Sequence, residues 1–211
     1  MSKNTMPLHK EAWIEDLAIK IFNEIEALTK DKVGVSRESY GKGETISINY
    51  MIDLAKGFGF YIEKDAAANV YLSLEKSTKN NHILIGSHID SVPQGGNFDG
   101  LAGVIAGFLI LVYLKEKKIK TSLPIKLLVL RGEESAWYGK NCIGSKALFG
   151  LISQEDLNSI HRSNGKKLSK AMTESGVTLD QIIKCKTLIN KNEVEAFIEI
   201  HIEQGPILVD K

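Results

Sequence analysis

Thiol chemistry is nearly absent from this sequence, which holds only Cys142 and Cys185. The two stand in unrelated contexts and form no paired framework. Neither has the C-x-x-C spacing of a redox or zinc-thiolate site. Such usage fits a reducing, cytoplasmic compartment. An excess of one charge is missing as well: 27 Lys and Arg stand against 26 Asp and Glu, a formal net charge of +1. That balance offers no electrostatic hold to nucleic acid or to an anionic membrane. The longest apolar run, Leu101 to Leu114, is shorter than the roughly 20 residues a bilayer-spanning helix needs and reads as a buried helix. Met1 to Lys10 has no apolar core of a signal peptide. There is no G-x-S-x-G elbow, no Walker loop and no G-x-G-x-x-G. Their absence argues against a serine hydrolase, an NTPase and a dinucleotide enzyme.

What is present is an ordinary globular balance, 43% hydrophobic and 25% charged over 211 residues, enough for one large domain. Ile14, Leu17, Ile21, Ile25 and Leu28 recur at helical spacing and predict a first helix over Lys10–Thr29. The polar stretch Gly34–Gly43 reads as a loop, and Glu44–Lys56 as a second helix stopped by Gly57. Strands are expected over Phe58–Glu63 and Asn69–Leu74, joined by a turn at Asp65–Asn69, and over His82–Gly86, Pro124–Leu130 and Ala196–His201. A buried helix is expected over Leu101–Lys118 and short helical pieces between Gly144 and Lys191. Strands alternating with helices predict an α/β fold. Its central sheet is mixed and largely parallel, flanked by helices.

Four segments place metal-seeking or acid-base side chains at or just after an apolar strand, where open α/β sheets bind ligands. In Gly86-Ser-His88-Ile-Asp90 the two functional side chains point to one side of an extended chain, so the carboxylate can fix the imidazole tautomer. The pair also reads as a solvated His-Asp couple. In Gly95-Gly-Asn-Phe-Asp99-Gly100 the aspartate stands at the mouth of the buried helix, where a simple N-cap is the competing reading. Arg131-Gly-Glu133-Glu134-Ser135 puts two carboxylates after a strand. One can hold a metal while the other moves a proton, or both belong to an ordinary acidic loop. Glu199-Ile-His201-Ile-Glu203-Gln204-Gly-Pro206 places a histidine at a strand end, where it also reads as a satisfied edge residue. Together His88, Asp99, Glu134 and His201 make an N/O ligand set suited to zinc or a similar divalent ion, with Glu133 spare.

The segments G-S-H-I-D-S-V-P-x-G-G-x-F-D-G, E-E-S near Glu134 and E-I-H-I-E-Q-G-P resemble the hydantoinase/carbamoylase branch of the M20 metallopeptidase-like family. That branch includes N-carbamoyl-L-amino acid hydrolase, allantoate amidohydrolase and β-ureidopropionase. The resemblance covers nearly the whole chain, and H-I-E-Q-G-P separates this branch from M20 aminoacylases and dipeptidases. It implies a zinc-exopeptidase-like catalytic domain hydrolysing a small ureido or amide substrate with two divalent ions, zinc first and manganese, cobalt or nickel as alternatives. His88 and His201 would hold one ion, Asp99 would bridge, and Glu134 would hold the second. Glu133 would be the general base, Asp90 would orient His88, and Gln204 would touch the substrate. Ser91 stands where threonine is more usual, and either offers a hydroxyl.

Family members are roughly twice this length, and full-length relatives are homodimers. Residues 1–211 are therefore expected to be the N-terminal part of one catalytic domain. The lid/dimerisation domain, a further histidine and a substrate-binding arginine would lie beyond Lys211. The expectation that follows is one ion in this chain and little activity alone. The remaining histidines, His9, His82 and His161, read as structural or solvated. A non-catalytic metal-binding fragment and an M20 aminoacylase or dipeptidase are the alternative readings.

Overall fold

The computed structural model describes residues 11–76, 81–184 and 187–209. His9 and Cys185 lie outside them. A five-stranded sheet forms the centre, in the order β1-β2-β4-β3-β5. Its strands are β1 (Tyr61–Lys64), β2 (Val70–Ser73), β3 (His82–His88), β4 (Ile125–Leu130) and β5 (Val194–Ile198). β3 takes parallel partners on both sides, while β2 is antiparallel to both of its neighbours. The sheet is thus mixed, as expected, with its parallel half at β4-β3-β5.

Alternation along β3 and β4 sends side chains to two cores. Ile85, Leu127 and Val129 face the layer built by α1 (Ala12–Thr29), α2 (Lys42–Gly57) and α3 (Leu101–Glu116). Leu84 and Leu128 face the other side, against Leu148 of α4 (Ile143–Leu148). The connection beyond α4 is helical, as predicted: α5 (Gln154–Leu157), α6 (Leu168–Glu174) and α7 (Leu179–Ile183) pack their apolar residues around Trp137, Tyr138 and Ile143. Each fully buried Leu or Ile contributes about 1.5–3 kcal/mol relative to exposure. The two-sided burial of β3 and β4 therefore anchors the strands that carry the site.

α3 has eight buried residues, among them Leu101, Val104, Phe108 and Leu111. It lies close on the sheet because Gly103 faces it. A Cβ there would stand 2.3 Å from the Ile200 carbonyl and 2.7 Å from Ser87 Cβ.

β1 starts three residues later than the sequence reading, at Tyr61, and two differences at the C-terminal ends of strands bear on the site. β3 runs two residues further, through His88, because its pairing with β4 continues to His88 opposite Leu130. β5 ends at Ile198, and its pairing with β3 ends there, opposite Ile85. His201 therefore follows the strand in irregular chain rather than closing it. β5 is an edge strand, with Phe197 and Ile198 exposed. Among the described residues no helix is long and apolar enough to cross a membrane.

Candidate metal centre

The parallel register brings the motifs together. His88 ends β3 beside Leu130, the last residue of β4. Arg131-Gly-Glu133-Glu134 therefore leaves the same edge of the sheet. β5 runs parallel to β3 on the other side, so its continuation to His201 reaches that edge too. Asp99 arrives from the loop before α3.

His88 is buried. Its Nδ1 lies 3.0 Å from the Asp90 carbonyl and 3.3 Å from Asp90 Oδ1. Both are acceptors, so Nδ1 carries the hydrogen and, once the ring is neutral, Nε2 presents a lone pair. His201 repeats the arrangement: its Nδ1 faces the Ile202 carbonyl at 3.0 Å. The two Nε2 atoms stand 3.3 Å apart. Asp99 Oδ1 is 3.7 Å from His88 Nε2 and 3.5 Å from His201 Nε2, and it is buried with no hydrogen-bond donor among the described residues. Three potential ligand atoms thus face one point, and with both rings neutral in these tautomers they offer three lone pairs there, an arrangement that a cation relieves. Their separations match the tetrahedral edge of about 3.3 Å that follows from zinc–nitrogen bonds of about 2.0–2.1 Å. The residues present fit a divalent ion.

A second group, His88, Glu133 and Glu134, also offers ligand atoms within 4.8 Å of one another. Glu133 Oε2 lies 3.9 Å from His88 Nε2, and Glu133 Oε1 accepts from the Cys142 thiol at 3.4 Å. Burial, followed by the charges of Asp99 and Asp90, pushes the Glu134 carboxyl up to about 7. Burial pulls His88 down, but the hydrogen bond and charge of Asp90 and the charges of Glu133 and Asp99 outweigh it and hold the imidazole at about 9. The site is open to solvent along His201 and Glu133, whose side chains are 39% and 37% exposed.

Asp90 is the hub. Its Oδ1 accepts the Glu133 N–H at 3.0 Å, and its Oδ2 accepts the Glu134 N–H at 3.0 Å and the Ser39 hydroxyl at 2.5 Å. One buried carboxylate therefore fixes the histidine and both glutamates. Burial alone would raise its pKa, but the His88 hydrogen bond and charge, with Ser39 and the backbone donors, lower it. Gln204 donates its side-chain amide to Asp99 Oδ2 at 2.6 Å. The expected contact of Gln204 with substrate is thus preceded by a contact with a member of the ligand set.

Asp99 does not cap α3. The N-cap is Gly100, with φ of +63° and no side-chain cap bond. A Cβ on Gly100 would stand 2.5 Å from the His88 ring, so the glycine lets the loop pass close to the imidazole.

Residues 35–43, read from sequence as a plain loop, hold the site from the far side together with Glu44, read as the first residue of the second helix. Ser39 reaches Asp90. Arg37 reaches the loops on either side of Asp99 and Asp90, donating to the Ile89 carbonyl at 2.6 Å and to Asn97 Oδ1 at 2.9 Å. Glu44, at the start of α2, accepts from the Gly132 N–H and Arg131 Nε, both at 2.7 Å, and so holds the chain just before Glu133. Their only sequence signal is a charged, hydroxyl-bearing stretch between two helices. His82 and His161 are both buried. His161 lies outside the cluster, with Nε2 2.9 Å from Glu38 and its ring stacked on Trp137.

Residues 84–211 match the model of peptidase family M20/M25/M40. The chain belongs to that family. It is similar to N-carbamoyl-L-amino acid amidohydrolase of Geobacillus stearothermophilus, 32% identical over 83% of this chain and 42% of that protein. It is also similar to allantoate amidohydrolase of Escherichia coli (strain K12), 32% identical over 68% of this chain and 34% of that protein. In fold it matches a hydantoinase/carbamoylase family amidase from Burkholderia ambifaria with a TM-score of 0.79, at 24% identity over 92% of this chain and 47% of that one. The chain spans less than half the length of these relatives.

Proposed function

We propose that this chain carries the water- and metal-handling side of an amidohydrolase that cleaves linear ureido or amide C–N bonds, of the N-carbamoyl amino acid or allantoate kind. The observation that carries the reading is the convergence of His88 Nε2, His201 Nε2 and the undonated Asp99 Oδ1. The names of the relatives support the substrate class.

His88, Asp99 and His201 would hold one divalent ion, zinc first. Glu134, with Asp99, would take part in holding a second. A bound ion of this kind supplies Lewis-acid polarisation of a carbonyl and water acidified to roughly pKa 7. Asp90 keeps the hydrogen on His88 Nδ1, so that Nε2 stays a lone-pair donor. Glu133, partly exposed and beside His88, takes the proton from the attacking water and delivers it to the leaving nitrogen as the C–N bond breaks.

The test is the metal content of the purified, dialysed chain, measured by plasma mass spectrometry beside His88→Ala and His201→Ala. About one tightly held divalent ion, lost in both variants, is the expected result. Equal metal in all three proteins would remove the basis of the proposal. A panel of N-carbamoyl and N-acyl amino acids then separates the amidohydrolase reading from an aminoacylase.

A further inference from the structure

Arg37 is fully buried and lies between the two loops that present the ligand set. Its Nε donates to the Ile89 carbonyl at 2.6 Å and its Nη1 to Asn97 Oδ1 at 2.9 Å. Its Nη2 lies 3.2 Å from the Asn97 carbonyl and 3.5 Å from the Asp99 carbonyl. Its backbone N–H donates to Ser91 Oγ at 3.0 Å, and its carbonyl accepts the Ser91 N–H at 2.9 Å. One residue thus ties the segment after His88 to the segment that ends in Asp99.

A buried guanidinium is costly unless its donors are met and its charge is balanced. Here four acceptors on the two site loops receive its donors. The charge is balanced by Asp90, Asp99 and Glu134. Burial pulls Arg37 down to about 10 and those three acids raise it, so it stays cationic at neutral pH. A lysine in its place would keep the charge but lose the planar fork that reaches separate acceptors.

Resting on the metal-centre reading above, we propose that Arg37 is a positioning residue for that centre. Its fork sets where Asp99 stands relative to the His88–Asp90 pair, so divalent-ion affinity depends on a side chain that supplies no ligand atom.

The test uses the 211-residue chain with Co2+ as the probe, reading the dissociation constant and the visible d–d absorption band. Arg37→Met is expected to weaken Co2+ binding by about 10- to 100-fold, the usual effect of removing a partner that orients ligands, and to shift the band. Asn97→Ala removes one acceptor of the fork and is expected to act in the same direction by a smaller factor. Ile25→Ala truncates the distant core of α1 and controls for lost stability, so its melting temperature falls while its band stays in place. Wild-type affinity and spectrum in both Arg37→Met and Asn97→Ala overturn the proposal, as does an equal shift in Ile25→Ala. If Arg37→Met does not fold, Asn97→Ala decides alone. An unaltered chain that binds no Co2+, or a His88→Ala chain that binds as tightly as wild type, overturns the metal-centre reading itself.

Discussion

Gln204 donates its amide to Asp99 Oδ2 at 2.6 Å, while Asp99 Oδ1, on the histidine side, receives no donor from the described residues. The two oxygens of one carboxylate are thus in different states: one faces the His88–His201 lone pairs, and the other is held by a neighbour. If Asp99 bridges two ions, Gln204 competes with the second. Gln204→Ala removes that donor without touching the first set. Titration calorimetry with Zn2+ is expected to show tighter binding at the weaker site of the variant and little change at the tighter one. Weaker binding at the tighter site would show instead that Gln204 orients Asp99 toward the histidines.

The two adjacent glutamates are expected to separate on substitution. Glu133 stands at the solvent side, and Glu134 is half-buried among Asp90, Asp99 and His88. Glu134→Gln removes a charge from the ion-facing group, and metal occupancy should fall. Glu133→Gln keeps the shape but cannot take a proton. Metal content should hold, while whatever turnover of an N-carbamoyl amino acid the chain sustains falls by about 10²- to 10⁴-fold. The reverse pattern would exchange the two roles.

Much of this arrangement was legible in the sequence because its signals are local. H-x-D at a strand end, a glycine-flanked aspartate before a helix and paired glutamates after a strand each carry chemistry within a few residues, and the strand order of α/β folds points them to one edge. His201 was found by its motif, but its position was not. Strand propensity runs on through Ile200, whereas the pairing stops at Ile198, opposite Ile85. The frame over residues 35–44 could not be read at all. Ser39 meets Asp90 across 51 residues of chain, and Arg37 meets Asn97 across 60. No periodicity marks such contacts in advance. Glu44 likewise looks like a routine first-turn acid until the fold sets Gly132 and Arg131 against it.

Metal uptake should depend on pH with a definite sign. His88 must lose its ring proton to act as a ligand, and its pKa in the metal-free protein is raised to about 9. Affinity should therefore rise by about tenfold per pH unit up to that value, with proton release on binding. The same shift acts on stability. A raised histidine pKa contributes stability that is fully present below its ordinary value near 6.5 and is lost as pH rises through about 9. The melting temperature of the chelator-treated chain should fall across that window, and in His88→Gln the histidine-linked part of the fall should vanish. A fall of the same size in His88→Gln would assign the effect to other groups.

Asp90 supplies the sharpest test of how the site is held. Four donors point at its two oxygens: His88 Nδ1 and the Glu133 N–H at Oδ1, the Ser39 hydroxyl and the Glu134 N–H at Oδ2. The carboxylate is fully buried. Asp90→Asn is nearly identical in shape, but an amide has only one acceptor oxygen. Whichever way it turns, its NH2 meets a backbone N–H that then has no partner. The hydroxyl of Ser39 can rotate to accept and the backbone N–H groups cannot, so turning the amide oxygen toward His88 and Glu133 strands Glu134, and the reverse strands Glu133. Leaving a buried donor unmet costs about 1–3 kcal/mol, and losing the charge-assisted bonds adds to that. A total of about 3 kcal/mol lowers the melting temperature by roughly 6–12 °C for a domain of this size. Metal affinity should fall as well, because the His88 ring and the Glu133–Glu134 backbone lose their common anchor. Thermal denaturation and Co2+ titration of the variant check both. A variant that melts like wild type would mean that the loop carrying the two glutamates is held by Glu44 and Arg131 rather than by Asp90.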